Sequence, residues 1–263
     1  MKASQHIRDT MARVATLRQQ ASQCPALAQA VLEVKRFQSQ RFAGTYPDLL
    51  ASPAYGASAR FFLTELYGVR DFSLRDQQFV HVASALELTL PQRALATTLA
   101  LTDLHGLTEE LDLAMARHWM AQPDTDSPAA RYLACWRAVG RQSERDWQLE
   151  TVLRIGQALG ELTRKRSLRL MLTLMRKPAQ LAGIDALQNF LESGFDHFAG
   201  MTDKGGSIRD FLALIGQREA HWIAQLFNAT PDTGEQLLGK TLQATDTPLA
   251  PDAPDTGPQG YLS

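Results

Sequence analysis

Arginine is concentrated in one stretch of this chain. Residues 131–177 contain nine Arg and two Lys against four acidic residues, so the stretch carries a net charge of +7. The other 216 residues carry −8, which gives the overall formal charge of −1. An arginine guanidinium directs paired N–H donors at phosphate or carboxylate oxygens and therefore suits anion recognition better than lysine does. The stretch is the most informative indication of function in the sequence.

Six of these arginines are candidate partner- or anion-binding residues. Three occur four residues apart and form a ladder along a predicted helix, and three follow in the next segment. The alternative is that they pair with acidic residues of neighbouring helices or of the acidic C-terminal segment. Aromatic residues lie opposite the ladder, which disfavours base stacking and hence nucleic acid. The candidates are Arg137, Arg141, Arg145, Arg164, Arg166 and Arg169.

Residues 234–241 match the phosphate-binding pattern GxxxxGK[ST]. Such a loop binds phosphate when a buried strand leads into it and a helix leaves it, so that backbone N–H groups converge. Here Thr230 and Pro231 precede the match, and bulky Leu237 and Leu238 lie inside it. We therefore expect a weak amphipathic turn in a tail, not a nucleotide site.

One group of residues has the composition of a metal site. His105 and Glu109 lie four apart, with Asp103 and Asp112 beside them, and could line up along one helix. A helical di-iron site needs Glu-x-x-His pairs from two helices, and no Glu-x-x-His occurs in the chain. We expect solvated carboxylates and no metal.

Three histidines lie beside apolar residues and are candidate haem ligands: His81, His197 and His221. A lone histidine on an apolar face is more often a satisfied core residue, and no Cys-x-x-Cys-His motif exists for covalent attachment. We predict no cofactor and keep haem as the alternative.

Residues suited to nucleophilic catalysis are sparse. The chain has no Gly-x-Ser-x-Gly elbow, and neither Cys24 nor Cys135 has a histidine close in sequence. The carboxylates Glu65, Asp71 and Asp76 lie near arginines and indicate structural salt bridges. The sequence leans against an enzyme, although a site assembled by the fold stays open.

Helical periodicity runs through nearly every segment, so helices must position all these residues. We predict an all-α, multi-helix bundle. Pro25 should begin a helix, and Gly44 should end one through a left-handed cap. Pro178 should stop the helix that starts at Ser167. Residues 129–163 change helical phase, which indicates either a break near 146–149 or one long helix with different partners.

Composition divides the chain into segments. We expect an N-terminal helical half at 1–121, a linker at 122–128 rich in turn-forming residues, and a C-terminal half at 129–229 packed on the first as one globular unit. Five of the 12 prolines follow residue 229, so 230–263 is predicted to be a flexible tail. Proline, Phe-Leu and Arg-Asp-Phe markers recur in order in both halves, which fits an internal duplication or shared helical composition.

The chain is predicted to be cytoplasmic. Its longest charge-free stretch has 14 residues, too short to cross a bilayer, so no membrane insertion is expected. The start, MKASQHIRD, lacks the apolar core of a secretory signal. Two cysteines are too few for a disulfide framework.

Three segments carry a resemblance to a family: FFLTELYGVRDFSLRDQQF (61–79), RYLACWRAVGRQSERDWQLE (131–150) and LMRKPAQLAGIDALQNFLESGFDHFAGM (174–201). The chain resembles an uncharacterised family of all-helical hypothetical proteins from proteobacteria over roughly residues 5–228. The resemblance implies a bacterial cytoplasmic, all-α protein. It implies no activity and no site residues.

These observations favour a non-enzymatic binding or regulatory module that self-associates and recognises an acidic or phosphate-bearing partner through the arginine-rich segment. The second hypothesis is a sensor or carrier that encloses haem or another apolar ligand. The third is an enzyme with a spatially assembled site.

Overall fold

The computed structural model describes residues 2–65, 68–69, 71–122 and 126–244, apart from the side chain of Arg166. These residues form twelve α-helices and no strand, so the fold is an all-α multi-helix bundle. The helices are α1 (Ala3–Ser22), α2 (Pro25–Thr45), α3 (Pro47–Ala51), α4 (Gly56–Glu65), α5 (Ser73–Thr89), α6 (Gln92–Ala121), α7 (Pro128–Val139), α8 (Gln142–Thr163), α9 (Arg166–Leu181), α10 (Asp185–Asp203), α11 (Ile208–Asn228) and α12 (Pro231–Gln243). Among the described helices, none combines the length and apolarity that crossing a bilayer requires.

The largest apolar cluster lies between α2, α6, α7, α11 and α12. At its centre Phe37 stacks on Tyr132 with ring centroids 4.2 Å apart. Cys135 is buried in the same cluster, and burial raises the pKa of its thiol to about 11. A second cluster joins the end of α2 to α3, α4, α10 and α11, and a third joins α1, α5 and α6. Helices from both halves of the chain therefore share buried contacts.

Several helix starts follow the local sequence. α2 begins at Pro25, as predicted, because the fixed φ of proline suits the first helical turn. Ser127, Ser207 and Thr230 each precede a helix and accept a hydrogen bond from a backbone N–H of its first turn.

The arginine ladder is interrupted between α7 and α8. Both predicted alternatives, a break near 146–149 and one long helix over 129–163, are wrong: the helix ends at Val139, and Gly140 and Arg141 both have positive φ. Gly140 adopts φ 62° and ψ −126°, which is accessible only without a Cβ. Arg137 therefore lies on α7, whereas Arg141 directly precedes α8 and Arg145 lies within it.

Helix α9 continues past the residue predicted to stop it. Pro178 lies inside the helix, which ends at Leu181. Proline lacks an N–H and crowds the carbonyl of residue 174. Both Leu174 and Pro178 lie on the exposed side of α9, where the freed carbonyl can reach water. The helix therefore continues for three residues past Pro178.

The first part of the predicted tail is ordered. Residues 231–243 form α12, whose Leu238 is fully buried against the largest cluster. Gly44 does not end α2 with a left-handed cap. Instead it lies within α2, where its missing side chain lets Thr241 of α12 approach closely. Residues 123–125 of the predicted linker and 245–263 of the predicted tail lie outside the described residues.

Candidate binding surface

Arg137 and Arg141 contact the protein's own polar groups. Arg137 donates from Nε to the carbonyl of Leu226, 2.9 Å away, and from Nη2 to that of Ala229. These carbonyls lie at the C-terminal end of α11, which a cation stabilises. Arg141 pairs with Glu144 and with Glu110, and these hydrogen bonds raise the pKa of its guanidinium above the usual value. Both side chains contribute to packing between helices.

Arg145 is buried. Its Nη1 donates to Oε1 of Gln148 at 3.2 Å, and its guanidinium carbon lies 4.1 Å from the centroid of the Trp136 ring. Such a contact between a cation and an aromatic face is favourable inside a protein. The three ladder residues therefore form no single exposed face.

The interior contains further charged residues whose pairing no sequence pattern predicted. Arg41 and Glu219 form a two-pronged ion pair at 2.7 and 2.8 Å, and Tyr46 donates its hydroxyl to the same carboxylate. All three residues are buried. Because the pair joins α2 to α11, it fixes the two halves of the chain against each other.

The four residues with the composition of a metal site each contact a polar or charged side chain of another helix. Burial alone would raise the pKa of Glu109, but the positive charges of Lys35 and Arg18 outweigh it and hold that pKa at about 2. Burial raises the pKa of the neighbouring Asp112. His105 lies 2.9 Å from Asp76 on another helix.

Asp103, the fourth member of the set, lies 2.6 Å from His6. Within the described residues, no three His, Cys, Asp or Glu side chains are arranged to hold a metal ion. The carboxylates expected to be solvated therefore include two, Glu109 and Asp112, that are buried. Their burial requires the cationic and amide partners that surround them.

The haem candidates are not brought together. His81 on α5 and His221 on α11 are exposed. His197 is partly buried, with its Nδ1 2.6 Å from the carbonyl of Ser193 and its ring stacked on Phe61 at 5.3 Å. These positions give no support to the hypothesis that the protein encloses haem or another apolar ligand.

The residues of the phosphate-loop match lie within one regular helix. Gly234, the first glycine of the pattern, packs on Leu133 of α7, where a Cβ would come within 2.7 Å of that side chain. The backbone N–H of Gly234 donates to the carbonyl of Thr230. Gly234 therefore serves helix packing, and residues 234–241 form no phosphate-binding loop.

Several cations on and just before α9 reach solvent. Arg164, Lys165 and Lys177 are exposed, and none of them forms a salt bridge within the described part of the chain. Arg169 is also largely exposed but pairs with Asp196 of α10, and Arg176 pairs with Glu192. We call residues 164–181 the α9 surface.

A row of leucines on the α9 surface was not identified from the sequence. Leu170, Leu174 and Leu181 are 60%, 68% and 90% exposed, and Met171 and Met175 are also exposed. At 100° per residue, the apolar positions of α9 cover an arc of about 200°, which is wider than one neighbouring helix can bury. The width of this arc is the sequence pattern that could have indicated an exposed apolar face. The helix packs on α10 and α8 and leaves the remainder of the arc in water.

The molecule is thus an all-helical protein with a cationic, apolar surface helix. Residues 17–233 match the family described as Domain of unknown function (DUF8198), and the chain belongs to that family. Comparisons with curated proteins and with solved structures gave no match.

Proposed function

We propose that this protein is a binding module that recognises a negatively charged partner through the α9 surface. The observation that carries the proposal is the composition of that surface: residues 164–181 contain six cations and no acidic residue. Three of these cations are exposed and form no salt bridge in the described residues. Exposed cations beside exposed leucines supply both the attraction and the contact area that an anionic partner requires.

The proposal restricts the binding site to the second part of the arginine-rich segment. Arg164 and Arg169 contribute from the described residues, and Arg166 contributes by its position in the sequence. The earlier arginines serve other purposes, since Arg137 contacts backbone carbonyls and Arg141 contacts carboxylates.

Charge reversal at the α9 surface tests this function. The variant Arg164→Glu/Lys165→Glu/Lys177→Glu changes exposed side chains only, so the fold should persist. We expect its affinity for two probes, inorganic polyphosphate and a fluorescent peptide of ten glutamates, to fall at least about tenfold. Three contacts worth about 1 kcal/mol each in water suffice for such a loss. The affinity of the unaltered protein should also fall with added salt.

The matched control is Lys2→Glu/Arg36→Glu/Arg117→Glu, which makes the same change in net charge at exposed positions on α1, α2 and α6 or beside them. It should retain most of the binding to whichever probe the unaltered protein binds. Equal losses in the two triple variants would show that only net charge matters. That result, or binding of neither probe by the unaltered protein, would overturn the proposal.

A further inference from the structure

The apolar face of α9 forms a ridge that projects away from the bundle. Leu168 and Leu172 face inward and are partly covered, and Ala179 is buried. Leu170, Leu174 and Leu181 lie within about 40° of one another around the helix axis on the outer side. At 1.5 Å per residue the ridge from Leu170 to Leu181 is about 17 Å long, so it extends along roughly three turns of the helix.

The cations are placed at the border of this ridge. Lys177 lies about 20° around the helix from Leu170, and Arg164 and Lys165 directly precede the first turn. Arg169 and Arg176 lie on the flank toward α10, where they pair with Asp196 and Glu192. The outward side of α9 is therefore apolar along its middle and positive at its edge and its start.

This arrangement disfavours a second copy of the chain as the occupant of the ridge. In a twofold contact between two α9 surfaces, each copy would bring its exposed Arg164, Lys165 and Lys177 into the same interface. Like charges in that position repel, and the surface offers no acidic residue to compensate. An acidic partner protein would satisfy the charges, but it would also need a groove shaped to a three-turn ridge.

We infer that α9 binds the surface of an anionic phospholipid bilayer, with its axis parallel to the membrane plane. This inference rests on the anionic-partner function proposed above and names the partner. A helix with leucines on one side and cations beside them inserts its apolar face into the headgroup region, while its cations contact lipid phosphates. A bilayer accommodates a projecting ridge of any shape, and its negative charge complements a surface without acids. The helix lies on the membrane and does not span it.

Vesicle co-sedimentation of the full chain tests the inference. We expect binding to vesicles of 70% phosphatidylcholine and 30% phosphatidylserine and at least about tenfold weaker binding to pure phosphatidylcholine. Each cation close to an anionic surface contributes about fivefold in partitioning. Replacing the ridge with Leu170→Gln/Leu174→Gln/Leu181→Gln should reduce vesicle binding at least about tenfold. The control Leu32→Gln/Leu88→Gln, at exposed leucines of α2 and α5, should bind as the unaltered protein does.

Binding of polyphosphate and the glutamate peptide separates this inference from the proposed function. The leucine variant should retain binding to both probes because its cations are intact. If the unaltered chain binds a probe but does not bind anionic vesicles, the lipid inference is wrong and the proposed function still holds.

Two other outcomes would also overturn the lipid inference. One is a dimer of the unaltered chain in sedimentation equilibrium that the leucine variant loses, since the ridge would then serve self-association. The other is loss of glutamate-peptide binding in the leucine variant with vesicle binding unchanged, since a protein partner would then occupy the ridge.

Discussion

The contact between α2 and α11 and the surface of α9 use arginine in opposite ways. Arg41 is 6% exposed and meets Glu219 with two hydrogen bonds, so its charge is neutralised inside the protein. Arg164 is exposed and forms no salt bridge within the described residues. Burying a charge is costly unless a partner of opposite charge compensates it, whereas a solvated charge costs little and stays available. The comparison separates arginines that hold the fold together from arginines that remain in contact with solvent.

The largest effect should come from removing the carboxylate inside the α2–α11 contact. Glu219→Ala removes the carboxylate that forms two hydrogen bonds with the buried Arg41 guanidinium and is the nearer acceptor of the Tyr46 hydroxyl. We expect the free energy of unfolding to fall by about 3–5 kcal/mol in urea denaturation. Glu161→Ala, which breaks the exposed pair with Arg93, should cost no more than about 0.5 kcal/mol. Similar costs for the two variants would remove the distinction between the regions.

Acidification should weaken a second buried ion pair. The pKa of Glu109 is about 2 in the folded protein against an ordinary 4.5, so its contribution is present above pH 4.5 and is lost as the pH falls toward 2. The shift corresponds to about 3 kcal/mol. Asp112 acts in the opposite sense, because its raised pKa makes ionisation unfavourable in the folded state.

The variant Glu109→Gln isolates this contribution. Denaturation across pH 2–7 should show the gap in stability between the unaltered protein and the variant narrowing as the pH falls below 4.5. Glu161→Gln, which changes an exposed carboxylate, should give a nearly constant gap. A constant gap for Glu109→Gln as well would contradict the assignment of its low pKa to Lys35 and Arg18.

A smaller loss should follow from Gly44→Ala. Its Cβ would lie 1.9 Å from the carbonyl oxygen of Thr241, so α12 must shift away from α2. We expect a cost of about 1–3 kcal/mol, together with faster proteolysis within α12. The matched change is Gly239→Ala in α12, where a Cβ meets nothing within 4 Å. That substitution should stabilise the helix by about 0.5–1 kcal/mol, and a loss there would show that α12 packs differently.

The smallest effect on stability should come from the α9 ridge. Leu170→Gln and Leu174→Gln alter side chains that the protein leaves in water, so each should change the free energy of unfolding by less than about 0.5 kcal/mol. Leu238→Ala, at a fully buried leucine of α12, should cost about 2–5 kcal/mol. A large loss in the α9 variants would mean that the ridge is covered by the protein itself.

Local features of the structure follow from the sequence to a considerable extent. The helical spacing of apolar residues predicts the all-α fold, and Pro25 sets the start of α2 because its φ is fixed. Predictions fail where a residue's role depends on a distant segment. Gly44 was predicted to cap a helix, but its role is set by Thr241, which lies in a segment that composition assigned to a tail.

The candidate surface shows the same limit. The sequence correctly identifies a cationic stretch, but it does not distinguish Arg137, which reaches the end of α11, from Arg164, which reaches solvent. That distinction depends on how helices more than 80 residues apart pack together. The internal duplication and the division into halves stay predictions.

Cys135 gives the protein an internal measure of how often its core opens. Only a thiolate attacks a disulfide reagent, and a thiol with a pKa near 11 is almost entirely protonated at pH 8. Because Cys135 is also fully buried, a reagent can reach it only when the cluster of α2, α6, α7, α11 and α12 separates. Cys24, which is partly exposed, can react without that separation. The ratio of the two labelling rates would therefore report how often the core opens in the folded protein.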